Sequence, residues 1–306
     1  MDPGGNRASG AARLGIGTVQ FGLDYGVTNR SGKVGRDEVS SILHFAWQQG
    51  VRLLDTAALY GDSEAAIGAA SAGLAFDVVT KTVKVGDAPD AASAVAAIGR
   101  GFDKSLSDLR MERVHALMVH DAGDLTGPFG DEVWKGLEAI RASGRAGRIG
   151  ASVYGGEQLD LLLDRYELEI VQIPINALDT RLEEGGQLAR LAARGVEVHA
   201  RSIFLQGILL SAPEDLPKKL AGLAPALTAM RESFTRAGLT VMEGLVASVF
   251  RHQMIDRVIV GAASLREFRE IVSVASRLES IESDPDPGHW TVADHRLLNP
   301  ALWGTL

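Results

Sequence analysis

Short apolar runs alternate with longer helical stretches along almost the whole chain, and this alternation restricts the folds that the sequence can adopt. An apolar run of about four to eight residues suits a buried parallel strand, whereas a longer stretch with helical periodicity suits a covering helix. The predicted strands are residues 14–18, 52–55, 77–80, 114–119, 148–152, 170–173, 196–200 and 257–260. The predicted helices are residues 37–49, 63–70, 90–109, 131–143, 157–166, 186–194, a pair within 223–251, and 265–277.

Strands that alternate with helices in this way, without a long linker, predict an α/β fold, a single-domain closed (β/α)8 TIM barrel. An open doubly wound sheet is the alternative. The glycine-rich fingerprint of that fold is missing, because residues 15–20 read GIGTVQ, lack the final glycine and open no helix. Glycines between a helix and the next strand, as at Gly50 and Gly195, are typical of left-handed helix ends.

The two ends of the chain set the predicted domain boundaries. Residues 1–12, MDPGGNRASGAA, are expected to form a flexible tail, and residues 13–281 the barrel. Residues 282–306 finish with the apolar sequence LLNPALWGTL, so we expect this C-terminal tail to dock on the barrel. Insertions after the fourth and seventh strands, at residues 121–130 and 204–223, are expected to shape a pocket over the carboxyl face.

Composition and charge narrow the classes of function. The chain has 306 residues, no cysteine, a formal net charge of −8 and no dense block of Lys and Arg. These features exclude disulfides and thiolate metal sites and disfavour nucleic acid or an anionic membrane as a partner. No apolar run approaches the roughly 20 residues needed to span a bilayer, and the amino terminus lacks the apolar centre of a signal peptide. We therefore expect a cytoplasmic enzyme. We expect no metal site, since no His-x-His pair is present.

The strongest functional signal is the segment VRLLDTAALYG at residues 51–61. Asp55 ends a predicted strand and Tyr60 follows in the next loop, while the two following strands lead into Lys81 and His120. The carboxyl ends of barrel strands share one rim, where catalytic groups gather. Taken singly, a rim lysine is often a solvated charge and a rim histidine often caps a loop. Together the four residues suit proton delivery to a carbonyl oxygen, because a buried ammonium favours a phenolate and a carboxylate holds that ammonium in position.

Seven segments, in order and at predicted strand ends, resemble the aldo/keto reductase family. They are LGIGTVQFG (14–22), DTAALYG (55–61), VVTKT (78–82), LMVHD (117–121), GASVY (150–154), QIPINALD (172–179) and VIVGAAS (258–264). The resemblance covers nearly the whole chain and is to the bacterial branch that includes sugar or aldose dehydrogenases and saccharide-pathway reductases. It implies a catalytic tetrad of Asp55, Tyr60, Lys81 and His120. Tyr60 would be the proton donor in reduction, Lys81 would lower its pKa, and His120 would orient the carbonyl.

The resemblance also implies a groove for a nicotinamide cofactor. Its expected residues are Gly17, Thr18, Asp55, Ser152, Gln172, Arg201, Ser202, Phe204, Leu205, Gly207, Gly261, Ala262, Ser264, Arg266 and Arg269. Val153 replaces an Asn that usually holds the carboxamide, and Arg201 replaces an aromatic residue that stacks on the nicotinamide. Gly261 and Glu267 occupy positions that are basic in members with a tight 2′-phosphate site. The residues leave the choice of cofactor open; the resemblance implies NADP(H), with NAD(H) not excluded.

The expected substrate pocket is polar, and two other functions remain open. The pocket residues are Gln20, Phe21, Tyr60, His120, Tyr154 and Asn176, together with Arg201. This composition favours a small hydroxylated or anionic carbonyl substrate over a steroid-sized ketone. One alternative function is a Schiff-base lyase with Lys81 as the nucleophile. The other is a redox-sensing module that binds nicotinamide with little turnover. The sequence determines neither the oligomeric state nor the direction of the reaction.

Overall fold

The structure is a computed structural model that describes residues 10–278 and 290–305. Its parallel strands close into a barrel in chain order, with the last strand hydrogen-bonded to the first. The strands are β1 (Leu14–Gly17), β2 (Leu53–Asp55), β3 (Asp77–Lys81), β4 (Val114–Val119), β5 (Ala146–Ser152), β6 (Ile170–Pro174), β7 (Glu197–Arg201) and β8 (Arg257–Gly261). The predicted (β/α)8 barrel is confirmed, and the open doubly wound sheet is excluded.

Helices surround the barrel, with at least one after each strand. They are α1 (Val19–Gly22), α2 (Arg36–Gln48), α3 (Ser63–Ala70), α4 (Ala91–Leu109), α5 (Gly123–Thr126), α6 (Gly130–Ala142), α7 (Gly156–Arg165), α8 (Arg181–Glu184), α9 (Gln187–Ala193), α10 (Ala224–Arg236), α11 (Val241–Phe250) and α12 (Leu265–Arg277). The sequence pattern does not mark α1, α5 and α8, because a four-residue helix is too short to show an apolar period. Within the described residues, no helix combines the length and apolarity needed to cross a membrane.

The strands carry apolar side chains on both faces, which is why they read as continuous apolar runs. The cluster inside the barrel consists of Leu53, Val79, Ala116, Met118, Ile170 and Ile259. Residues of the opposite face, such as Leu54 and Leu117, pack against the helices. Successive residues alternate between the two faces of a strand. The interior-facing position after Leu53 is therefore Asp55, and the one after Val79 is Lys81.

A separate apolar cluster lies among the β7 loop, α10, α11 and the C-terminal segment. The buried residues that the C-terminal segment contributes are Val292, Leu297, Leu298 and Trp303. Trp303 Nε1 donates to the Leu297 carbonyl at 3.0 Å, and Lys219 Nζ donates to the Trp303 carbonyl at 2.8 Å. Residues 290–305 thus pack on this face, while residues 282–289 and 306 of the predicted tail lie outside the described residues.

At the other end, the described chain packs on the barrel from Gly10 onward. Residues Gly10–Arg13 form a 3-10 turn in which Ala11 is buried. A side chain at Gly10 would clash with a carbonyl oxygen of α12. The Arg13 guanidinium donates hydrogen bonds of 2.7 to 3.0 Å to three carbonyl oxygens in residues 250–255. Ordered packing therefore begins before the predicted boundary at residue 13, and residues 1–9 lie outside the described residues.

Candidate active site

A buried ion pair occupies the carboxyl end of the barrel interior. Lys81 Nζ lies 2.7 Å from Asp55 Oδ1 and donates to the Thr56 carbonyl at 2.9 Å. Gln172 Nε2, from β6, donates to the same Asp55 oxygen at 2.7 Å. The Lys81 and Asp55 side chains are only 1% and 5% exposed, so water scarcely competes for the pair.

Buried hydroxyl groups hold the end of β2 in place. The Thr18 amide and Oγ1 both donate to the Asp55 carbonyl, at 3.0 and 2.9 Å. Ser63 Oγ donates to the Thr18 carbonyl at 2.8 Å and lies 3.2 Å from Thr56 Oγ1. These bonds join β1, β2 and α3 directly beneath the ion pair.

Tyr60 lies in the tight turn between β2 and α3. Gly61 has φ of 59°, a left-handed conformation that glycine adopts without strain. A side chain at Gly22 would clash with the Tyr60 carbonyl, and one at Gly61 would approach the Gly22 carbonyl to 2.5 Å. The two glycines thus let α1 and this turn touch, which positions the Tyr60 side chain over the rim.

The Tyr60 ring lies close to both His120 and Lys81. Its centroid lies 5.5 Å from that of His120 in an edge-to-face arrangement, and 5.2 Å from Lys81 Nζ. Tyr60 and His120 line a cavity, whereas Lys81 lies behind Tyr60 and does not. The structure therefore brings Asp55, Tyr60, Lys81 and His120 together.

Burial sets the protonation of these groups. Burial, followed by the Asp55 carboxylate, raises the pKa of Tyr60 above its ordinary value. The expected lowering of the Tyr60 pKa by Lys81 is not found, and the Asp55 carboxylate that pairs with Lys81 at 2.7 Å adds to the raised pKa. Burial and then Lys81 lower the pKa of His120 to about 4. Near neutral pH, Tyr60 therefore holds its proton and the His120 ring is uncharged.

A cavity of about 500 Å³ extends from the rim to the start of α12. It is lined by most of the residues that the sequence predicts for the site. These are Gly17, Thr18, Gln20, Asp55, Tyr60, His120, Ser152, Tyr154, Gln172, Arg201, Ser202, Phe204, Leu205, Gly207 and Gly261. Two buried atoms in the cavity, Gln20 Oε1 and His120 Nδ1, have no hydrogen-bond partner among the described residues. These free polar atoms, on residues that line the cavity, fit the expected binding of a nicotinamide cofactor.

Two predicted pocket residues lie elsewhere. Phe21 is 2% exposed and belongs to the core between the barrel and the helices, because the α1 turn directs its ring inward. Asn176 is also buried, and its Nδ2 donates to the Ser202 carbonyl at 3.3 Å. Its Oδ1 accepts from the Leu178 amide at 2.9 Å. Asn176 thus orders the loop after β6 instead of facing the cavity.

The predicted adenosine end also differs from the structure. Ala262, Ser264, Arg266 and Arg269 do not line the cavity. The Arg269 guanidinium lies 4.9 Å from the Phe45 ring centroid, toward α2. Ser264 Oγ instead accepts from the Glu267 amide at 3.2 Å and caps α12. Gly261, at the end of β8, does line the cavity, but the face of α12 that lines it is not the one that carries Arg266 and Arg269.

That face is acidic. Glu267 and Glu270 line the cavity where α12 begins. Glu267 Oε2 also accepts from the Ala263 amide at 2.8 Å, which holds the carboxylate near the helix start. Residues three positions apart share a helix face, so helical spacing from Glu267 would have identified Glu270.

A further set of lining residues joins two loops across the cavity. Gln206 Nε2 donates to the Tyr25 hydroxyl at 3.0 Å, and Thr28 Oγ1 donates to the Gln206 carbonyl at 3.4 Å. A side chain at Gly207, whose φ is 88°, would clash with Thr28. No periodic signal marks residues 23–35, so sequence reasoning missed Tyr25 and Thr28.

No group of three His, Asp or Glu side chains is arranged to hold a metal ion anywhere in residues 10–278 or 290–305. What the rim offers is proton transfer. A closed parallel barrel with a phenol, a buried ammonium–carboxylate pair and a neutral imidazole at its carboxyl rim defines a class of barrel oxidoreductase.

Comparison with known proteins agrees with this class. Residues 13–283 match the model of the Aldo/keto reductase family, and the chain belongs to that family. Family members catalyse NAD(P)H-dependent carbonyl reduction, and NADP(H) is their cofactor. The predicted family, the enzyme class of NAD(P)-dependent oxidoreductase and the expected cofactor are confirmed.

Individual relatives are distant. An aldo-keto reductase of Mycolicibacterium smegmatis is 31% identical over 134 residues, which cover 43% of this chain and 46% of that protein. A glyoxal reductase of Bacillus subtilis is 26% identical over 57% of this chain and 61% of its own length. The solved holo form of an aldo-keto reductase from Bacillus halodurans superposes with a TM-score of 0.70 at 21% identity, covering 93% of this chain and 99% of that one. At this identity the structural likeness shows the fold alone.

Proposed function

We propose that the protein reduces an aldehyde or ketone to the alcohol, or catalyses the reverse oxidation, with Tyr60 as proton donor or acceptor. One observation carries this proposal. A protonated phenol, Tyr60, lies at the cavity surface beside the neutral His120 ring and the buried Lys81–Asp55 pair.

Each group has a distinct task in the proposed reaction. Reduction builds negative charge on the carbonyl oxygen, and Tyr60 passes its proton to that oxygen. The Lys81 ammonium, 5.2 Å from the ring centroid, stabilises the phenolate that remains. Burial lowers the pKa of Lys81, and the charge and hydrogen bond of Asp55 oppose that lowering. The uncharged His120 ring carries one N–H, which we assign to orienting the carbonyl oxygen.

The cofactor, when bound, supplies or accepts the hydride. Gly17, Thr18 and Ser152 line the cavity at the rim and would hold its nicotinamide end. Gln172 already donates through Nε2 to Asp55, so its Oε1 is left to accept from the carboxamide. Residues 202–207, which line the cavity, would cover the pyrophosphate.

The cavity favours a small, polar substrate. Gln20, Tyr154 and Arg201 contribute polar groups near the rim, and the cofactor must share the same 500 Å³. The glyoxal reductase relative is named for a small dicarbonyl compound, which is consistent with this size. We therefore propose a hydroxylated or otherwise polar carbonyl compound.

Two observations favour the reductase over the Schiff-base lyase. Lys81 is 1% exposed and does not line the cavity. Its amine is also engaged by Asp55 and the Thr56 carbonyl, whereas a nucleophilic amine must be neutral and within reach of the substrate. Measurable turnover would separate the reductase from a redox-sensing module.

The test is Tyr60→Phe, which keeps the ring and removes the transferable proton. Turnover in NADPH-dependent aldehyde reduction should fall by roughly 10²–10⁴-fold, while the Kd for NADPH changes little. Tyr166→Phe is the matched control. The Tyr166 hydroxyl donates to the Leu125 carbonyl at 2.9 Å, and Tyr166 does not line the cavity. A Tyr60→Phe enzyme that retains a large fraction of the wild-type rate would contradict the proposal.

A further inference from the structure

Arg201 places a guanidinium at the substrate end of the cavity. It is the last residue of β7, and its side chain lines the cavity with Tyr60, His120 and Tyr154. Arg201 Nη2 donates to the Val153 carbonyl at 3.0 Å, and Nη1 donates to Ser202 Oγ at 3.1 Å. Its Cζ lies 4.3 Å from the Tyr154 ring centroid. All of these partners are uncharged.

The other cations near the rim are neutralised, but Arg201 is not. Lys81 pairs with Asp55 at 2.7 Å, and Lys84 pairs with Asp121 at 3.0 Å. Within the described part of the chain, no carboxylate forms an ion pair with Arg201. The remaining acidic groups that line the cavity are at its α12 end. The substrate end therefore carries a positive charge that the protein leaves unbalanced.

The guanidinium is also held in position. Stacking on Tyr154 and two hydrogen bonds fix its plane, so little conformational entropy remains to be lost on binding. A guanidinium has five N–H donors, and two protein bonds leave others for a ligand. A planar fork of N–H donors matches a carboxylate or a phosphate.

Arg201 also lies close enough to the reacting groups to act on them. Its charge works against the burial that raises the pKa of Tyr60, and it adds to the burial and the Lys81 charge that lower the pKa of His120. A ligand group bound by Arg201 would consequently sit near a carbonyl held by Tyr60 and His120.

We propose that Arg201 binds an anionic group of the substrate, so that the preferred substrate carries a carboxylate or phosphate near its reacting carbonyl. This inference rests on the proposed reductase function and defines the substrate class for the same site. It also gives Arg201 a different partner from the nicotinamide ring that the family pattern implies.

Matched pairs of carbonyl compounds test the proposal. One pair is 4-oxobutanoate and butanal, and the other is glyceraldehyde 3-phosphate and glyceraldehyde. The wild type should prefer the charged member of at least one pair in kcat/KM, by about tenfold or more. The pair that shows the preference identifies the anion as carboxylate or phosphate. Equal kcat/KM within both pairs would overturn the proposal.

Substitution of Arg201 then assigns the preference to this residue. Arg201→Gln should lower the charged-to-neutral ratio of kcat/KM by about tenfold to a hundredfold, and Arg201→Lys should restore part of it. The ratio is the readout because loss of the guanidinium also alters Tyr60 and slows both substrates. Arg113→Gln, an exposed arginine just before β4, is the matched control and should leave the ratio unchanged.

Cofactor binding separates this proposal from the remaining alternatives. Fluorescence quenching should give Arg201→Gln an NADPH Kd within about threefold of wild type. A large rise in that Kd with an unchanged substrate ratio would assign Arg201 to the cofactor and overturn the proposal. If neutral aldehydes are reduced and Tyr60→Phe abolishes this, the proposed function stands even where the inference fails. If no carbonyl compound in either pair is reduced, both are overturned.

Discussion

The barrel holds a carboxylate at each end, the buried Asp55 at the carboxyl rim and the partly buried Glu197 at the start of β7. Asp55 binds the Lys81 ammonium at 2.7 Å beside an open cavity. Glu197 Oε1 lies 3.0 Å from His115 Nε2 and 2.7 Å from His199 Nε2. Both ends therefore combine a carboxylate with nitrogen groups, yet they suit different purposes.

The difference lies in what surrounds each carboxylate. Arg148 Nε lies 3.1 Å from the second Glu197 oxygen, so both oxygens of Glu197 are occupied. Burial disfavours the ionised form of Glu197, but hydrogen bonds from His115 and His199 outweigh it and hold its pKa well below the usual range. Glu197 does not line the active-site cavity. A partly buried carboxylate such as Glu197, with both oxygens bound by protein groups, stabilises the barrel. Asp55 differs because its partner, Lys81, lies next to the Tyr60 phenol, which lines the cavity.

The largest expected effect is the loss of turnover when Lys81, the partner of Asp55, is replaced. Lys81→Met removes the cation next to Tyr60, so turnover should fall at least about 10²-fold and the pH profile should shift. Rates across pH measure this, and circular dichroism verifies folding. Lys84→Met is the control, because Lys84 is a more exposed rim lysine paired with Asp121. A covalent substrate adduct trapped on Lys81 by borohydride, without nicotinamide, would instead support the lyase.

A smaller effect, on stability alone, is expected at Glu197. Its pKa is lowered in the folded state, so its contribution is present above the unfolded value of about 4.3 and is lost as pH falls below it. Glu197→Gln should lower the free energy of unfolding by about 2 kcal/mol at pH 7. Urea unfolding at pH 7 and pH 4 should show this difference narrowing in acid. If Glu197→Gln folds but turns over more than tenfold more slowly, Glu197 has a role in catalysis and the contrast with Asp55 is wrong.

The choice of cofactor tests a second contrast, between the two ends of the cavity. Arg201 lies at one end, and Glu267 and Glu270 lie at the other, where α12 begins. We expect a modest wild-type preference between NADPH and NADH, on the order of tenfold, since Glu267 lines the cavity and would repel a 2′-phosphate bound beside it. Glu267→Arg should move the preference toward NADPH by about 1.4 kcal/mol, a further tenfold. Dissociation constants at fixed salt measure it, with the exposed Glu157→Arg as control. A thousandfold wild-type preference for NADPH would mean that another basic residue binds the phosphate.

The smallest effect concerns the pH dependence of His120. Because burial and Lys81 lower its pKa to about 4, the ring stays neutral from pH 5.5 to 7.5. Its ionisation should change kcat/KM by less than about twofold over that range. An NMR titration of the ring should show a midpoint near 4, and a midpoint near the ordinary 6.5 would contradict the environment described here.

The amino-acid sequence by itself determined the barrel and indicated the rim at which the candidate active site lies. Apolar runs at regular intervals allowed few folds, and parallel strands in a barrel all end at one rim. Asp55, Lys81 and His120 could therefore be grouped without coordinates, since each lies at the end of a strand. Tyr60 could be added because a short loop keeps it near Asp55.

Only the tertiary structure decided how the charges at that rim combine. Gln172 and Asp55 are 117 positions apart and yet share a hydrogen bond, so only the Oε1 of Gln172 is left for the carboxamide. Burial raises the pKa of Tyr60 where the sequence suggested a lowered one. Arg201 stacks on Tyr154 and keeps an unbalanced charge. Burial and charge balance depend on distances between residues remote in the chain, and no local sequence pattern contains those distances.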